Sequence, residues 1–153
     1  MKKKKTAKSK ELNYEPPVLY AVLFYTLLVA WTAVCVVVLG SKTLKTGWPL
    51  GQLLMIAFVI AYTWYFSLGI SYKITVYSDG KIELTSFRRK ITVTAGDISM
   101  AEGPRFAPIP FGFIRFRLER EKAYLFIRIT DESLQKVLAV IRKRNPEMKF
   151  KRL

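Results

Sequence analysis

The side chains that could do chemistry are of two kinds, scattered carboxylates and clustered cations. Asp97, Glu102, Glu119, Glu121, Asp131 and Glu132 fall at predicted turns, caps and strand ends. No two of them have a spacing that suggests general acid–base work. The sequence contains no histidine, which removes the commonest general base and the commonest metal ligand. Its single cysteine, Cys35, lies inside an apolar run, so an intrachain disulfide and a Cys-rich metal site are both excluded. No glycine-rich phosphate loop is present. These features argue against an enzyme and predict no catalytic residue, no cofactor and no bound metal.

The cations carry more information. Lys and Arg number 26 against 11 Asp and Glu, a net charge of +15. An excess of that size implies a polyanionic neighbour, either phospholipid headgroups or nucleic acid. Two stretches mix cations with aromatic rings: Phe87-Arg88-Arg89-Lys90, and Arg105-Phe106 running on to Ile109 and Phe111. Arginine suits a phosphate bidentately, and phenylalanine suits the headgroup boundary. The stretch Ile109 to Phe116, IPFGFIRF, offers a rival reading. It matches most of the RNP1 consensus of RNA-recognition domains but lacks the Lys/Arg-Gly start. RNP1 also belongs on a strand flanked by interleaved helices, which the preceding sequence does not supply. A membrane-tethered RNA binder using the Phe111–Phe116 strand is therefore the alternative, and nucleic acid is the less favoured partner.

The elements that must position these clusters begin with two apolar runs. Residues 17–39 and 50–70 are uncharged, and each is long enough to cross a hydrocarbon core of about 30 Å as a helix. The first is too long for a signal peptide, and no small-residue cleavage site follows it. The short connection makes the pair an antiparallel hairpin. Six lysines precede it, two lie in the connecting loop, and five basic residues follow within about 20 positions. Both ends of the chain are thus predicted to be cytoplasmic, in a multi-pass cell-membrane protein. Trp48 is placed at the outer interface, Tyr62, Trp64, Tyr65 and Tyr72 at the inner one, and Trp31 against the other helix. Cys35 reads as a packing residue. Neither run carries an ionisable group, which argues against transport.

From Tyr72 the pattern changes to period two. Asp79-Gly80 suits a tight primed turn between the first two strands. Later alternations, at Ile91 and Val93, at Ile114, Phe116 and Leu118, and at Leu125, Ile127 and Ile129, bring the count to about six antiparallel strands. A helix capped at Thr130 or Asp131 follows. Leu134, Val137, Leu138 and Ile141 form its apolar stripe, and Asn145-Pro146 stops it. Strands that curl into a partly open barrel or bent sandwich, plugged by this helix, would bury both apolar faces. Phe116, Leu118, Ile127, Leu138 and Ile141 are the predicted core.

The stretch YKITVYSDGKIELTSFRRKITVTAGDISMAEG resembles the opening of bacterial pleckstrin-homology-like (PH-like) domains. The Asp-Gly hairpin, the basic turn and the Asp97-Ile98 step carry the resemblance. It implies a membrane α-hairpin plus an α+β domain, in which a partly open antiparallel barrel of about six to seven strands is capped by the C-terminal amphipathic helix. It also implies a non-catalytic binding or scaffolding module. The chain then divides into a basic cytoplasmic tail (1–16), two transmembrane helices (17–71), a cytoplasmic PH-like domain (72–145) and a basic C-terminal tail (146–153). Anionic membrane lipids and a further, unidentified protein are the expected partners.

Strand direction completes the expectation. The first strand leaves the bilayer, so the SDGK turn is distal. Its partner returns Phe87, Arg88, Arg89 and Lys90 toward the headgroups. The next pair of strands delivers Arg105, Phe106, Ile109 and Phe111 to the same side.

Overall fold

The computed structural model describes residues 12–43, 49–104, 111–119 and 121–152. Two long helices, α1 (Val18–Thr43) and α2 (Pro49–Ser67), are both long and apolar enough to cross a membrane. At 1.5 Å per residue, the 26 residues of α1 span roughly 39 Å and the 19 of α2 roughly 28 Å. Their side chains are almost all outward and apolar, as lipid requires and water does not tolerate. Two polar contacts join them. Trp64 Nε1–H donates to Thr32 Oγ1 at 3.0 Å, and the Tyr25 hydroxyl donates to the Ser67 carbonyl oxygen at 2.9 Å. Trp31, expected against the other helix, is 60 % exposed instead. Its neighbour Thr32 faces α2, and one residue along a helix rotates the side chain away by about 100°.

The rest of the chain forms an open mixed sheet. Its strands are β1 (Leu12–Tyr14), β2 (Ser71–Val76), β3 (Lys81–Ser86), β4 (Lys90–Thr94), β5 (Ile98–Glu102), β6 (Phe111–Leu118), β7 (Lys122–Arg128) and β8 (Lys149–Lys151). The order is β4-β3-β2-β7-β6-β5-β8, with β1 beside β2. Eight strands replace the six to seven expected, and the pairing is not wholly antiparallel. β2 meets β7 in parallel at Ser71 and Leu125, and β5 lies parallel to β8. The two additional strands come from segments read as tails. Leu12–Tyr14 pairs with Ile74–Val76, and Lys149–Lys151 pairs with Met100–Glu102. Three residues are too few to show alternation, so such strands exist only because a partner edge is waiting for them.

The β2–β3 turn also differs from expectation. Gly80 alone in it has positive φ, at 95°, whereas a type I′ turn needs two such residues. Gly80 N–H donates to the Tyr77 carbonyl, and Tyr77 N–H donates to the Lys81 carbonyl. The loop is therefore three residues long, a type I turn closed by a left-handed glycine. Asp79 holds it by accepting from Lys81 N–H at 3.0 Å.

Helix α3 (Glu132–Arg144) starts where Asp131 caps it, accepting from Ser133 N–H at 2.9 Å. Leu134, Val137, Leu138 and Ile141 are buried against Ile74, Ile82, Leu84, Ile98, Phe116 and Leu125. All five predicted core residues, Phe116, Leu118, Ile127, Leu138 and Ile141, lie in this core. The far end of α3 is tied down twice. Arg144 donates to the Tyr77 and Ser78 carbonyls, and Asn145 Nδ2 donates to those of Ala95 and Ile98. One helix thus covers one face of the sheet, leaving the part of β6 and β7 nearest α1 for a different partner.

Candidate membrane-proximal site

That partner is the start of α1. Tyr20 stacks on Phe111 with ring centroids 5.1 Å apart, and Phe24 meets Phe113 at 5.7 Å and Phe126 at 5.3 Å, edge to face. Tyr25 lies 5.5 Å from Phe87. Such aromatic pairs contribute about 0.5–1.5 kcal/mol each beyond their buried area. Sequence reading assigned Tyr20, Phe24 and Tyr25 to an apolar span and missed this joint. Their i, i+4 and i+5 spacing on one helix side was the available signal, but the strand faces that receive them come from residues about 90–100 positions later.

The basic turn between β3 and β4 sits at the end of α2. Ser86 builds it: its hydroxyl donates to the Arg89 carbonyl at 2.7 Å and accepts from Arg89 N–H at 3.1 Å. Arg88 N–H donates to the Leu68 carbonyl at 3.1 Å, which docks the turn on the chain leaving α2. The Arg88 guanidinium then lies over the Tyr65 ring, 3.8 Å from its centroid. Gly69 lies beside this contact, and a Cβ there would come within 3.2 Å of both Arg88 Nη2 and the Phe66 carbonyl oxygen.

The structure separates the four residues of this cluster. Phe87 is 62 % exposed and rests on Tyr25 and Tyr72. Arg88 is exposed and, among the described residues, faces no carboxylate. Arg89 turns away to pair with Glu121 on the β6–β7 turn. Lys90 lies 3.6 Å from Glu83 on the neighbouring strand. Phe111 is 43 % exposed on the same side of the domain, against Tyr20. Arg105, Phe106 and Ile109 lie outside the described residues.

Two further carboxylates, Asp97 and Glu102, have structural tasks, while Glu119 is exposed. Asp97 accepts from the backbone and hydroxyl of Thr94 and closes the short turn between β4 and β5. Those bonds hold its carboxyl below the usual range. Glu102 is nearly buried and pairs with Arg115 and Arg152, linking β5, β6 and the residue after β8. Among the described residues, no group of three or more Cys, Asp or Glu side chains could hold a metal ion.

An open apolar groove of about 460 Å³ runs beside this turn. Val18, Ala21, Val22, Tyr25, Thr26 and Val29 of α1 form its floor, and Phe87 forms a wall. No family model matches the chain, and neither does any curated protein or solved structure.

Proposed function

We propose that the protein is a membrane-anchored, non-catalytic binding or scaffolding module whose PH-like domain is held against the anionic cytoplasmic surface. The observation that carries this reading is the docking of the Phe87–Arg88 turn at the junction of the two apolar helices. It presents an exposed phenyl ring and an exposed guanidinium at the depth of Tyr65, a residue of the last turn of α2. Residues from Lys73 onward hold 18 basic and 9 acidic side chains, a net +9, which favours a negatively charged leaflet. The sheet-and-helix arrangement is compatible with a PH-like domain, and lysine and arginine counts favour a cytoplasmic side for both ends of the chain.

The RNA-binding alternative is less favoured. Phe111 and Phe113 already stack against Tyr20 and Phe24, and Phe116 is fully buried, so the rings that bases would need are engaged.

The test uses the whole chain in lipid nanodiscs, because Ser71, Tyr72 and β1 belong to the sheet and a fragment starting at Lys73 would lack them. A polarity-sensitive dye is attached at Phe87→Cys or Ser78→Cys in a Cys35→Ala background. The Phe87 site should shift to the blue in phosphatidylglycerol relative to phosphatidylcholine, and the distal Ser78 site should not. Arg88→Glu should remove the difference. Equal shifts at both sites would mean diffuse charge attraction with no oriented face, and would sink the proposal.

A further inference from the structure

We infer that the outer side of α3 is a docking groove for an acidic segment of a partner protein. An apolar side chain of that segment sits over Ala139, and its carboxylates meet Arg142 and Lys143. This surface is separate from the Phe87–Arg88 turn and gives the binding module a second face, turned to water.

The groove follows the helix. A hollow of about 430 Å³ lies where Ile129 and Thr130 lead into α3, beside Glu132 and Lys136. A second, of about 180 Å³, lies between Leu138, Arg142 and Phe150. Gln135 and Ala139 line both, so the two form one depression. Ala139 is exposed, and the residues three and four positions away on the helix surface, Gln135, Lys136, Arg142 and Lys143, are all longer. A methyl group ringed by long side chains is the low point of that surface.

Both walls are fixed. Asp131 caps one end of α3, and Arg144 and Asn145 tie the other to carbonyls of the β2–β3 and β4–β5 turns. Phe150 is held by the pairing of β8 with β5, and the Arg142 guanidinium lies 5.6 Å from its ring centroid. A groove that is already formed needs little further ordering to bind.

Charge points to the occupant. From Glu132 to Arg152 the chain carries seven Lys and Arg against two Glu. The ion pairs of this stretch are Lys136–Glu132 and Arg152–Glu102, which leave Arg142, Lys143, Lys149 and Lys151 without a carboxylate among the described residues. Glu132 lies at the near end of the groove, so a partner's carboxylates belong at the far end, beside Arg142 and Lys143.

The bilayer does not account for these cations. The contact of Arg144 with the Tyr77 carbonyl holds the end of α3 about 20 Å along the strand from Ser71, where β2 starts. β8 is the sheet edge three strands from β7, about 14 Å away, and β7 is the strand whose Phe126 meets Phe24 of α1. Both distances exceed the screening length of about 8 Å at physiological salt. Nucleic acid would find charge here but no open ring to stack on, since Phe150 is half-buried beside Arg142. A peptide with both carboxylates and an apolar side chain uses the cations and the depression together.

The test is fluorescence anisotropy of a labelled peptide of glutamate and leucine, patterned as an amphipathic helix, with the full chain in phosphatidylcholine nanodiscs. This peptide should bind, and its counterpart with lysine for glutamate should not. Ala139→Trp fills the depression and should weaken binding about tenfold or more, as should Arg142→Glu with Lys143→Glu. Arg117→Glu with Lys122→Glu makes the same charge change at a cross-strand pair on β6 and β7, outside the groove, and should alter affinity less than about twofold. Melting of each variant shows whether it is folded, and the two charge reversals decide the matter if Ala139→Trp is not. Absence of binding, unchanged affinity in a folded Ala139→Trp protein, or equal losses from the two charge reversals overturns the groove. Tighter binding of single-stranded RNA or phosphatidylglycerol vesicles, lost in the Arg142/Lys143 variant, reassigns the surface and overturns it too. Phosphatidylcholine presents no anionic surface, so this result is independent of the dye shift at Phe87, and either reading can fail alone.

Discussion

The Tyr25 hydroxyl donates to the Ser67 carbonyl oxygen, 2.9 Å away, and so sets the level at which α2 ends beside α1. Ser67 lies in the final turn, and its carbonyl also accepts from Ile70 N–H at 3.2 Å. The same tyrosine ring packs against Phe87 and Phe126 of the sheet. One side chain therefore joins both helices and the domain. Tyr25→Phe should cost about 0.6 kcal/mol, the average for hydrogen bonds between membrane helices, and no more than about 1.7 kcal/mol. Tyr25→Ala should cost more, because it also removes the ring contacts. A double-mutant cycle between Tyr25→Ala and Phe87→Ala, read by melting in detergent, should give a coupling of about 0.5–1.5 kcal/mol. Strict additivity would mean that the two rings do not stabilise one another.

The packing of α3 predicts a large penalty for truncation. Leu138 is 5 % exposed and lies in the core beside Val137 and Ile141. Leu138→Ala should destabilise the protein by about 2–5 kcal/mol in a denaturant titration. A loss below about 0.5 kcal/mol is incompatible with a helix seated on the sheet.

Tyr14 predicts an alkaline limit. It is 1 % exposed, and its hydroxyl oxygen accepts from Arg128 N–H at 2.9 Å. Burial raises its pKa from 10.0 to about 12, which favours the neutral phenol in the folded state. The associated stability is fully present below pH 10 and is lost as pH rises through about 12. The loss is on the order of 3 kcal/mol. Tyr14→Phe should lower stability at pH 7, by leaving Arg128 N–H without its acceptor, and should flatten the decline between pH 10 and 12. An equally steep decline in the variant would assign the alkaline loss to other groups.

Orientation is open to direct labelling. In a Cys35→Ala background, a membrane-impermeant thiol reagent should reach Thr46→Cys in intact cells and miss Ser78→Cys. Thr46 belongs to the connection between the two apolar runs, outside the described residues, and Ser78 to the β2–β3 turn. Labelling of Ser78→Cys from outside would invert the topology.

Much of the architecture is determined by local pattern. Two uncharged runs dictate two long helices, because a backbone in lipid must satisfy its own hydrogen bonds. Alternation dictates β2, β3, β6 and β7, and the Leu134–Ile141 stripe dictates α3 with its Asp131 cap and Asn145 stop. The return of the FRRK turn toward the helix junction also follows from the sequence, since antiparallel neighbours must reverse direction. Tertiary structure alone decided three things. β1 and β8 exist only through their partners, because three residues carry no readable period. The Phe87–Lys90 cluster divides, with Arg88 lying over Tyr65 and Arg89 drawn to Glu121, because the positions of an aromatic ring and a carboxylate from other elements settle where each cation points. Finally, Tyr20, Phe24 and Tyr25 read as ordinary apolar-run residues until the sheet brings Phe111, Phe113, Phe126 and Phe87 to them. Local periodicity can state that a face is apolar. Which surface covers that face is a long-range fact, available only once the chain has closed on itself.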